Sequence, residues 1–394
     1  MIGSGTNRIF GLDLLRAFAV LFVVYGHGYN MLSEVIPKYP YLILFFDGVT
    51  MFFVLSGFLI GRILLRTVAK DDFSGQTLTQ FWIRRWFRTL PNYFLVLTVL
   101  VVVFYVNDWP LPEGLIKYFF FAQSIAAPHP DFFPEAWSLA VEEWFYLVIP
   151  IPLYLSTKLR NIDKRRLMLL WIAATVLLVT AFRIYRAYRF NYSTVRELDL
   201  EVTQQVLPRF DSLMFGVLGA YVSLYHPHRW HGLARVALVA GICLLLFDKV
   251  FFAVTRSLFY AKYFTLTLSA VGTLLLLPTL SSWQRTTGWF VSAVTFVSLT
   301  SYSMYLLNFT PVSGIILPAA MSSLSRICLS CSQNEWLQYT AYWIITVSAS
   351  YLLYRYFERP MTALREKWPA HGHGVVTAFA APRVRAKSAE TVAP

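Results

Sequence analysis

Residues 10–30 read FGLDLLRAFAVLFVVYGHGYN, a long and apolar stretch that nevertheless contains Asp13, Arg16 and His27. A helix of about twenty apolar residues, rising about 1.5 Å per residue, crosses the roughly 30 Å hydrocarbon core of a bilayer. A charged residue near the centre of such a helix costs about 2.5–3.5 kcal/mol on insertion scales, so it usually faces a cavity or a partner. The stretch therefore predicts a membrane helix that carries a functional site.

The three polar residues fall on one stripe of that helix. At about 100° per residue, Arg16 and His27 lie roughly 20° apart around the axis, and Asp13 lies within about 40° of His27. Along the axis, His27 is about 16 Å from Arg16. A neutral imidazole takes a proton from a hydroxyl near pH 7, so His27 is a candidate general base. The alternative is a histidine that only packs and hydrogen-bonds between helices.

Composition places the chain among polytopic membrane proteins. Of its 394 residues, 57% are apolar and 14% charged, and the mean hydropathy is +0.54, whereas soluble proteins carry about 25% charged residues. The net charge of +13 is explained by basic cytoplasmic loops, and we expect no nucleic-acid partner. Cys328 and Cys331 have no second pair to complete a zinc site, so we expect no metal and interpret them as incidental or as a local disulfide.

Ten apolar runs predict an all-α bundle of about ten transmembrane helices, at residues 10–30, 41–65, 90–106, 138–156, 167–187, 209–225, 233–254, 263–281, 290–310 and 337–357. The run at 114–126 is shorter and predicts an interfacial or re-entrant helix. Lys and Arg collect mainly in the even-numbered connections, so both termini are predicted to be cytoplasmic. We predict a membrane domain over residues 1–360 and a basic, disordered cytoplasmic tail over 361–394.

Four further residues are candidates for chemistry. Arg85 and Arg88 stand i, i+3 on one helix face, where they could clamp a phosphate or simply contact anionic membrane lipids. Ser56 lies among small residues that allow close helix packing, which is at least as good an explanation as a direct role. Glu142, at the start of the fourth span, could orient His27, pair with an arginine or face the headgroups.

Three motifs together resemble the membrane acyltransferase family 3, whose members are O-acyltransferases of bacterial surface and secreted carbohydrates. The first is the Arg16-x10-His27 spacing. The second is FFVLSGFLIG at 52–61 followed by the R-x-x-R pair Arg85 and Arg88, and the third is WSLAVEEWFY at 137–146. The resemblance extends over residues 8–361.

The resemblance implies acyl-CoA, commonly acetyl-CoA, as donor and a carbohydrate hydroxyl as acceptor, in the bacterial inner (cytoplasmic) membrane. Arg16 and His27 match the essential pair of the family. Two positions depart from its pattern, since Thr50 replaces a common Asp and Asn308 a common His. An SGNH-type domain, which some members carry, is not recognisable in this sequence, so we expect the membrane domain or a periplasmic partner protein to handle the acceptor.

The residues and the resemblance lead to one mechanistic hypothesis. Arg85 and Arg88 hold the coenzyme A phosphates, the pantetheine arm passes Arg16 and Ser56, and His27 deprotonates the acceptor hydroxyl. Asp13 or Glu142 is expected to fix the tautomer of His27. A transient acyl-enzyme on His27 or Ser56 is an alternative chemistry. The rival class of protein is a proton-coupled transporter or flippase of a sugar-linked or anionic solute, in which Asp13, Arg16 and His27 form a proton relay.

Overall fold

The computed structural model describes residues 8–37, 46–69, 73–125, 127–159, 163–190, 192–285 and 287–367. Every regular element in these ranges is helical, as predicted. Ten principal helices follow the predicted spans in order. They are α1 Phe10–Gly28, α2 Gly48–Ala69, α3 Gly75–Val106, α4 Ala136–Ser156, α5 Lys164–Arg189, α6 Phe210–Tyr225, α7 Ala234–Thr255, α8 Leu258–Leu280, α9 Trp289–Ser325 and α10 Glu335–Leu353.

Within the described ranges, eight of these ten helices are long and apolar enough to cross a membrane, and the protein is a multi-pass membrane protein. The other two are α6 and α10. With 16 residues, α6 spans only about 24 Å and is largely buried among its neighbours. The 19 residues of α10 include many hydroxyl and indole side chains, which lower its hydropathy. Eight of the ten predicted spans are thus confirmed within the described ranges.

The backbones of α2 and α6 approach each other closely. A Cβ added at Gly57 would lie 1.9 Å from the carbonyl oxygen of Leu213, and one added at Gly216 would lie 2.1 Å from that of Val54. Only glycine permits backbones to approach this closely. The prediction that the small residues of α2 serve tight helix packing is confirmed at Gly57.

We expect Gly57→Ala to lower the free energy of unfolding by about 1–3 kcal/mol, because the new methyl group forces α2 and α6 apart. The measurement is the thermal midpoint of aggregation of the detergent-solubilised protein. Gly232→Ala is the matched control, since a Cβ there meets nothing within 4 Å. Equal midpoints for the two variants would contradict the close crossing.

Two helices are longer than predicted. α3 begins at Gly75 and continues through Pro91 for 32 residues, or about 48 Å, so Arg85 and Arg88 lie on the same helix as the third span. α9 runs for 37 residues and includes a π-helical segment, Asn308–Ile316, around Pro311. Both helices therefore carry polar residues continuously from one end of the bundle into its interior.

The predicted helix at 114–126 is wrong for most of its described length. Only Ile116–Phe119 is helical, because the backbone is left-handed at Gly114 (φ 76°) and at Phe121 (φ 55°), which no right-handed helix tolerates. The turn is held to the bundle by hydrogen bonds. Tyr93 Oη donates to the carbonyl of Tyr118 at 2.9 Å, and Trp144 Nε1 donates to that of Phe121 at 3.0 Å.

Beyond α10 the chain stays helical through a π-helical turn, Tyr354–Glu358, and then Arg359–Lys367. The helix thus passes the predicted domain boundary at residue 360. Residues 368–394 lie outside the described residues, so the disordered tail stays a prediction. Cys328 and Cys331 form a disulfide in the α9–α10 connection, which confirms the local-disulfide interpretation.

Candidate active site

The polar stripe of α1 faces α9 along its whole length. Near one end, Ser298 Oγ donates to Asp13 Oδ1 at 2.9 Å, and Arg16 Nη1 lies 3.3 Å from the same hydroxyl. At the other end, His27 Nδ1 lies 2.5 Å from Asn308 Oδ1. The structure therefore confirms that Asp13, Arg16 and His27 share one side of α1.

Asp13 forms ion pairs with two arginine side chains and does not reach His27. Arg8 donates to it through two nitrogens, Nε at 2.8 Å and Nη2 at 2.7 Å, which is the strong bidentate form of an ion pair. Arg16 adds a third contact at 3.4 Å. Fourteen residues along α1, about 21 Å, separate Asp13 from His27. The prediction that Asp13 fixes the His27 tautomer is wrong, and its observed role is to hold Arg16 and Arg8.

A cavity lies between α1, α2, α3, α4 and α9. It brings together five of the predicted site residues, Arg16, Ser56, Arg85, Arg88 and Glu142. Two predicted residues, Asp13 and His27, do not line it. The other polar lining residues are Thr89, Ser138, Tyr146, Ser301, Tyr302 and Tyr305.

Three arginines make one end of this cavity cationic. The positive charges of Arg16 and Arg88 lie close enough to repel each other. The guanidinium carbon of Arg85 lies 5.9 Å from the centroid of the Tyr146 ring. Among the described residues, no carboxylate comes within 4.0 Å of the Arg88 guanidinium. Like charges gathered around an empty space favour the binding of an anion there.

Glu142 and Glu143 point to different surroundings, as their 100° offset on a helix predicts. Glu142 lines the cavity beside Ser56 and Tyr146, within reach of the charges of Arg88 and Arg85. Glu143 instead accepts a hydrogen bond from Thr89 Oγ1 at 2.7 Å. The prediction that Glu142 could orient His27 is wrong here, and its alternative, pairing with arginines, fits the observed surroundings.

Hydroxyl groups and apolar side chains of α2 and α4 form the rest of the wall. Ser56 Oγ and Tyr146 Oη share a hydrogen bond of 2.5 Å, and Ser138 Oγ and Tyr305 Oη share one of 2.6 Å. Tyr305 is the lining residue of α9 nearest in sequence to Asn308, one helical turn away. The cavity thus extends from the arginines to within a turn of the residue that contacts His27.

Although Thr50 replaces an Asp that is common in the family, the carboxylate of Asp47 lies against the Thr50 hydroxyl. Thr50 Oγ1 donates to Asp47 Oδ2 at 2.5 Å and accepts from Arg209 Nη2 at 2.7 Å. Arg209 is fully buried and lies 3.8 Å from Asp47 Oδ2. The carboxylate is therefore supplied three residues earlier in the chain, at the start of α2, with the threonine hydroxyl between it and the arginine.

Among the described residues, His129 is a histidine with a buried side chain, in the connection between α3 and α4. Its Nδ1 lies 2.7 Å from the carbonyl oxygen of Pro130, and burial lowers its pKa to about 4, so the ring is neutral at pH 7. It does not line the cavity. His129 is therefore not part of the candidate site.

Sequence reasoning missed the tyrosines and Asn308 as site residues. Tyr302 and Tyr305 belong to a hydroxyl-rich face of the ninth span that is suited to a sugar or to interhelical hydrogen bonds. Tyr146 stands in a motif without a role of its own. Asn308 stands on the same face and also departs from the family pattern. The available signal was their one-sided, polar spacing on otherwise apolar helices.

Fold and cavity together define a multi-pass membrane protein with a cationic internal site. The family model described as an acyltransferase domain, acyltransferase family 3, matches residues 9–355. The chain belongs to this acyltransferase family.

Several curated proteins are similar to part of the chain. Peptidoglycan O-acetyltransferase OatA of Listeria monocytogenes serovar 1/2a (strain ATCC BAA-679 / EGD-e) is 33% identical over 159 residues, which is 35% of this chain and 23% of OatA. YrhL of Bacillus subtilis (strain 168), provisionally named a peptidoglycan O-acetyltransferase, is 36% identical over 165 residues, covering 36% and 23%. The chain spans about a quarter of the length of these relatives. No solved structure matches it.

Proposed function

We propose that this protein transfers an acyl group, most simply acetyl, from acyl-CoA to a hydroxyl of a cell-envelope carbohydrate, with His27 as general base. The observation that carries this proposal is the cavity that joins Arg85 and Arg88 to Arg16 beside the helix that bears His27. Membership of an acyltransferase family favours the enzyme over the transporter.

The donor end of the site is assigned to the three arginines. Coenzyme A carries phosphate groups, and guanidinium groups bind phosphate through paired N–H donors. Arg88 is exposed, and among the described residues it forms no ion pair within 4.0 Å, although the charges of Glu142 and Glu358 act on it from further away. Its guanidinium is therefore open to a ligand. The pantetheine arm then follows the cavity past Arg16 and Ser56 towards Tyr305.

The chemistry proposed at His27 is direct transfer. The imidazole accepts the proton of the acceptor hydroxyl while the oxygen of that hydroxyl attacks the thioester carbonyl carbon. The carbon–sulfur bond breaks, the ester forms, and the imidazolium returns the proton to the departing coenzyme A thiolate. One residue thus serves as base and then as acid, and no net proton is consumed.

The orientation in the membrane is also part of the proposal. Basic residues of the even-numbered connections favour both termini on the cytoplasmic side of a bacterial inner membrane. The disulfide Cys328–Cys331 supports the same orientation, since it lies in the odd-numbered α9–α10 connection and disulfides persist in oxidising compartments outside the cytoplasm. Acyl-CoA then enters from the arginine end, and the acceptor approaches from the His27 end.

Peptidoglycan is the acceptor to test first, because OatA bears that activity in its name. The relatives are much longer than the region they share with this chain, so a periplasmic partner protein could complete the delivery of the acyl group. Purified protein in liposomes is supplied with radiolabelled acetyl-CoA and peptidoglycan fragments. Label on the fragments with release of free coenzyme A supports the proposal, whereas solute flux without turnover would support a transporter.

A further inference from the structure

We propose that Asn308 is the positioning residue that fixes the tautomer of His27, placing the proton on Nδ1 and leaving Nε2 as the base. The catalytic meaning of this inference rests on the proposed function, but the tautomer itself does not. Asn308 lies on α9 at the start of its π-helical segment and is fully buried.

The side-chain amide of Asn308 has only one possible orientation. Its Nδ2 lies 2.9 Å from the carbonyl oxygen of Met304 and 2.9 Å from that of Tyr305. Carbonyl oxygens only accept hydrogen bonds, so the NH2 group must face them. Both of its protons are then used within α9, and only Oδ1 is left to face α1.

This orientation decides the protonation of the imidazole. Asn308 Oδ1 is an acceptor, so the His27 nitrogen 2.5 Å away must be the donor, and that nitrogen is Nδ1. In the neutral ring Nε2 then carries the lone pair. No described residue forms a hydrogen bond with Nε2, and His27 is only half-buried. The basic nitrogen is therefore free for a substrate hydroxyl.

Neighbouring groups hold both partners in place. The His27 ring packs on Phe309 with centroids 4.5 Å apart. Tyr342 Oη donates to the carbonyl of Val24 at 3.0 Å and lies 3.4 Å from Asn308 Oδ1. Its hydroxyl thus fastens α10 to α1 one turn before His27.

The π-helical segment itself is braced from α4. Pro311 has no N–H to donate, and the helical hydrogen bonding changes at this point. Glu135, just before α4, accepts from the Thr310 amide at 2.8 Å and from Thr310 Oγ1 at 2.6 Å. The carboxylate thereby fixes the backbone two residues beyond Asn308.

Nitrogen NMR of protein labelled with 15N-histidine tests the tautomer directly. His27→Gln identifies the His27 signals by their disappearance. At about pH 8, where the imidazole is neutral, wild-type His27 should show a protonated Nδ1 and a bare Nε2. A protonated Nε2 in the wild type would overturn the inference, whatever the activity.

Two replacements of Asn308 separate positioning from packing. Asn308→Leu removes the acceptor and should lower kcat about 10–100-fold, with little change in the KM for acyl-CoA. In this variant the 15N chemical shifts of His27 should no longer be those of a ring protonated at Nδ1. Asn308→Asp keeps an acceptor for Nδ1 but loses both Nδ2 donors, so it should retain the wild-type tautomer and recover most of the lost kcat.

The outcomes distinguish the inference from the proposed function. If His27→Gln is inactive while Asn308→Leu keeps the wild-type kcat and tautomer, the positioning role fails alone. If Asn308→Asp is as impaired as Asn308→Leu in both tautomer and kcat, Asn308 acts through packing and the inference also fails. If His27→Gln is fully active, the proposed function fails, and the NMR result still decides the tautomer.

Discussion

Replacing His27 with glutamine lowers the rate of acyl transfer by about 10²–10⁴-fold, the usual contribution of general acid–base catalysis. Glutamine keeps a polar side chain of similar length but does not accept a proton near pH 7. It can still meet Asn308 across the α1–α9 contact, so the fold is preserved better than in His27→Ala. The measurement is label transfer from radiolabelled acetyl-CoA to peptidoglycan fragments.

His228→Gln is the matched control for this experiment, because His228 is an exposed histidine in the short helix between α6 and α7. It should keep the full rate. Size-exclusion chromatography of both variants in detergent confirms that they remain folded. A rate for His27→Gln above half that of the control would remove His27 from the reaction.

The features that sequence predicts best here are those fixed within one helix. Angular spacing alone places Asp13, Arg16 and His27 on one side of α1, and the structure puts α9 against that side. Gly57 is similar, since a glycine among apolar membrane residues signals close packing without naming the partner. Helix periodicity is local, so neither result requires knowledge of the tertiary structure.

Partners across helices are not predictable in this way. The residue that meets His27 is Asn308, 281 positions away, and neither carboxylate expected there reaches it. Asp13 instead pairs with Arg8, a residue outside the apolar stretch. Glu142 lies near the arginines that line the cavity. Sequence identifies which polar residues need a partner, but the arrangement of helices decides which partner each one meets.

Helix boundaries failed where backbone details outweighed hydropathy. The predicted third span begins at residue 90, yet α3 begins at Gly75 and passes through Pro91. Conversely, the described part of the apolar run at 114–126 forms only one helical turn, because left-handed residues flank that turn. The longer α3 makes Arg85 and Arg88 part of the same helix as the third span, from which they line the cavity.

Removing the arginine pair of α3 should weaken donor binding more than any other change outside α1. Arg85→Ala combined with Arg88→Ala removes two charge-assisted contacts to phosphate, each of which is worth about 1.5–3 kcal/mol when well formed. Partial exposure reduces these contributions, so we expect a Kd for acetyl-CoA raised about 100-fold, with 1.4 kcal/mol for each factor of ten. Equilibrium binding of labelled acetyl-CoA in detergent measures it.

The choice of ligand makes this experiment specific for phosphate recognition. Acetylpantetheine has the thioester arm without the phosphates, so its weaker affinity should be the same in the wild type and the double variant.

The control variant is Arg229→Ala with Arg235→Ala, which removes the same charge from two exposed positions on the same predicted side of the membrane. It should leave the Kd for acetyl-CoA within about twofold of wild type, because exposed charges interact weakly. Equal losses in the two double variants would indicate a general electrostatic effect. An unchanged Kd for Arg85→Ala with Arg88→Ala, together with weaker binding of anionic lipid, would assign these arginines to the membrane surface and leave the cavity without its phosphate anchor.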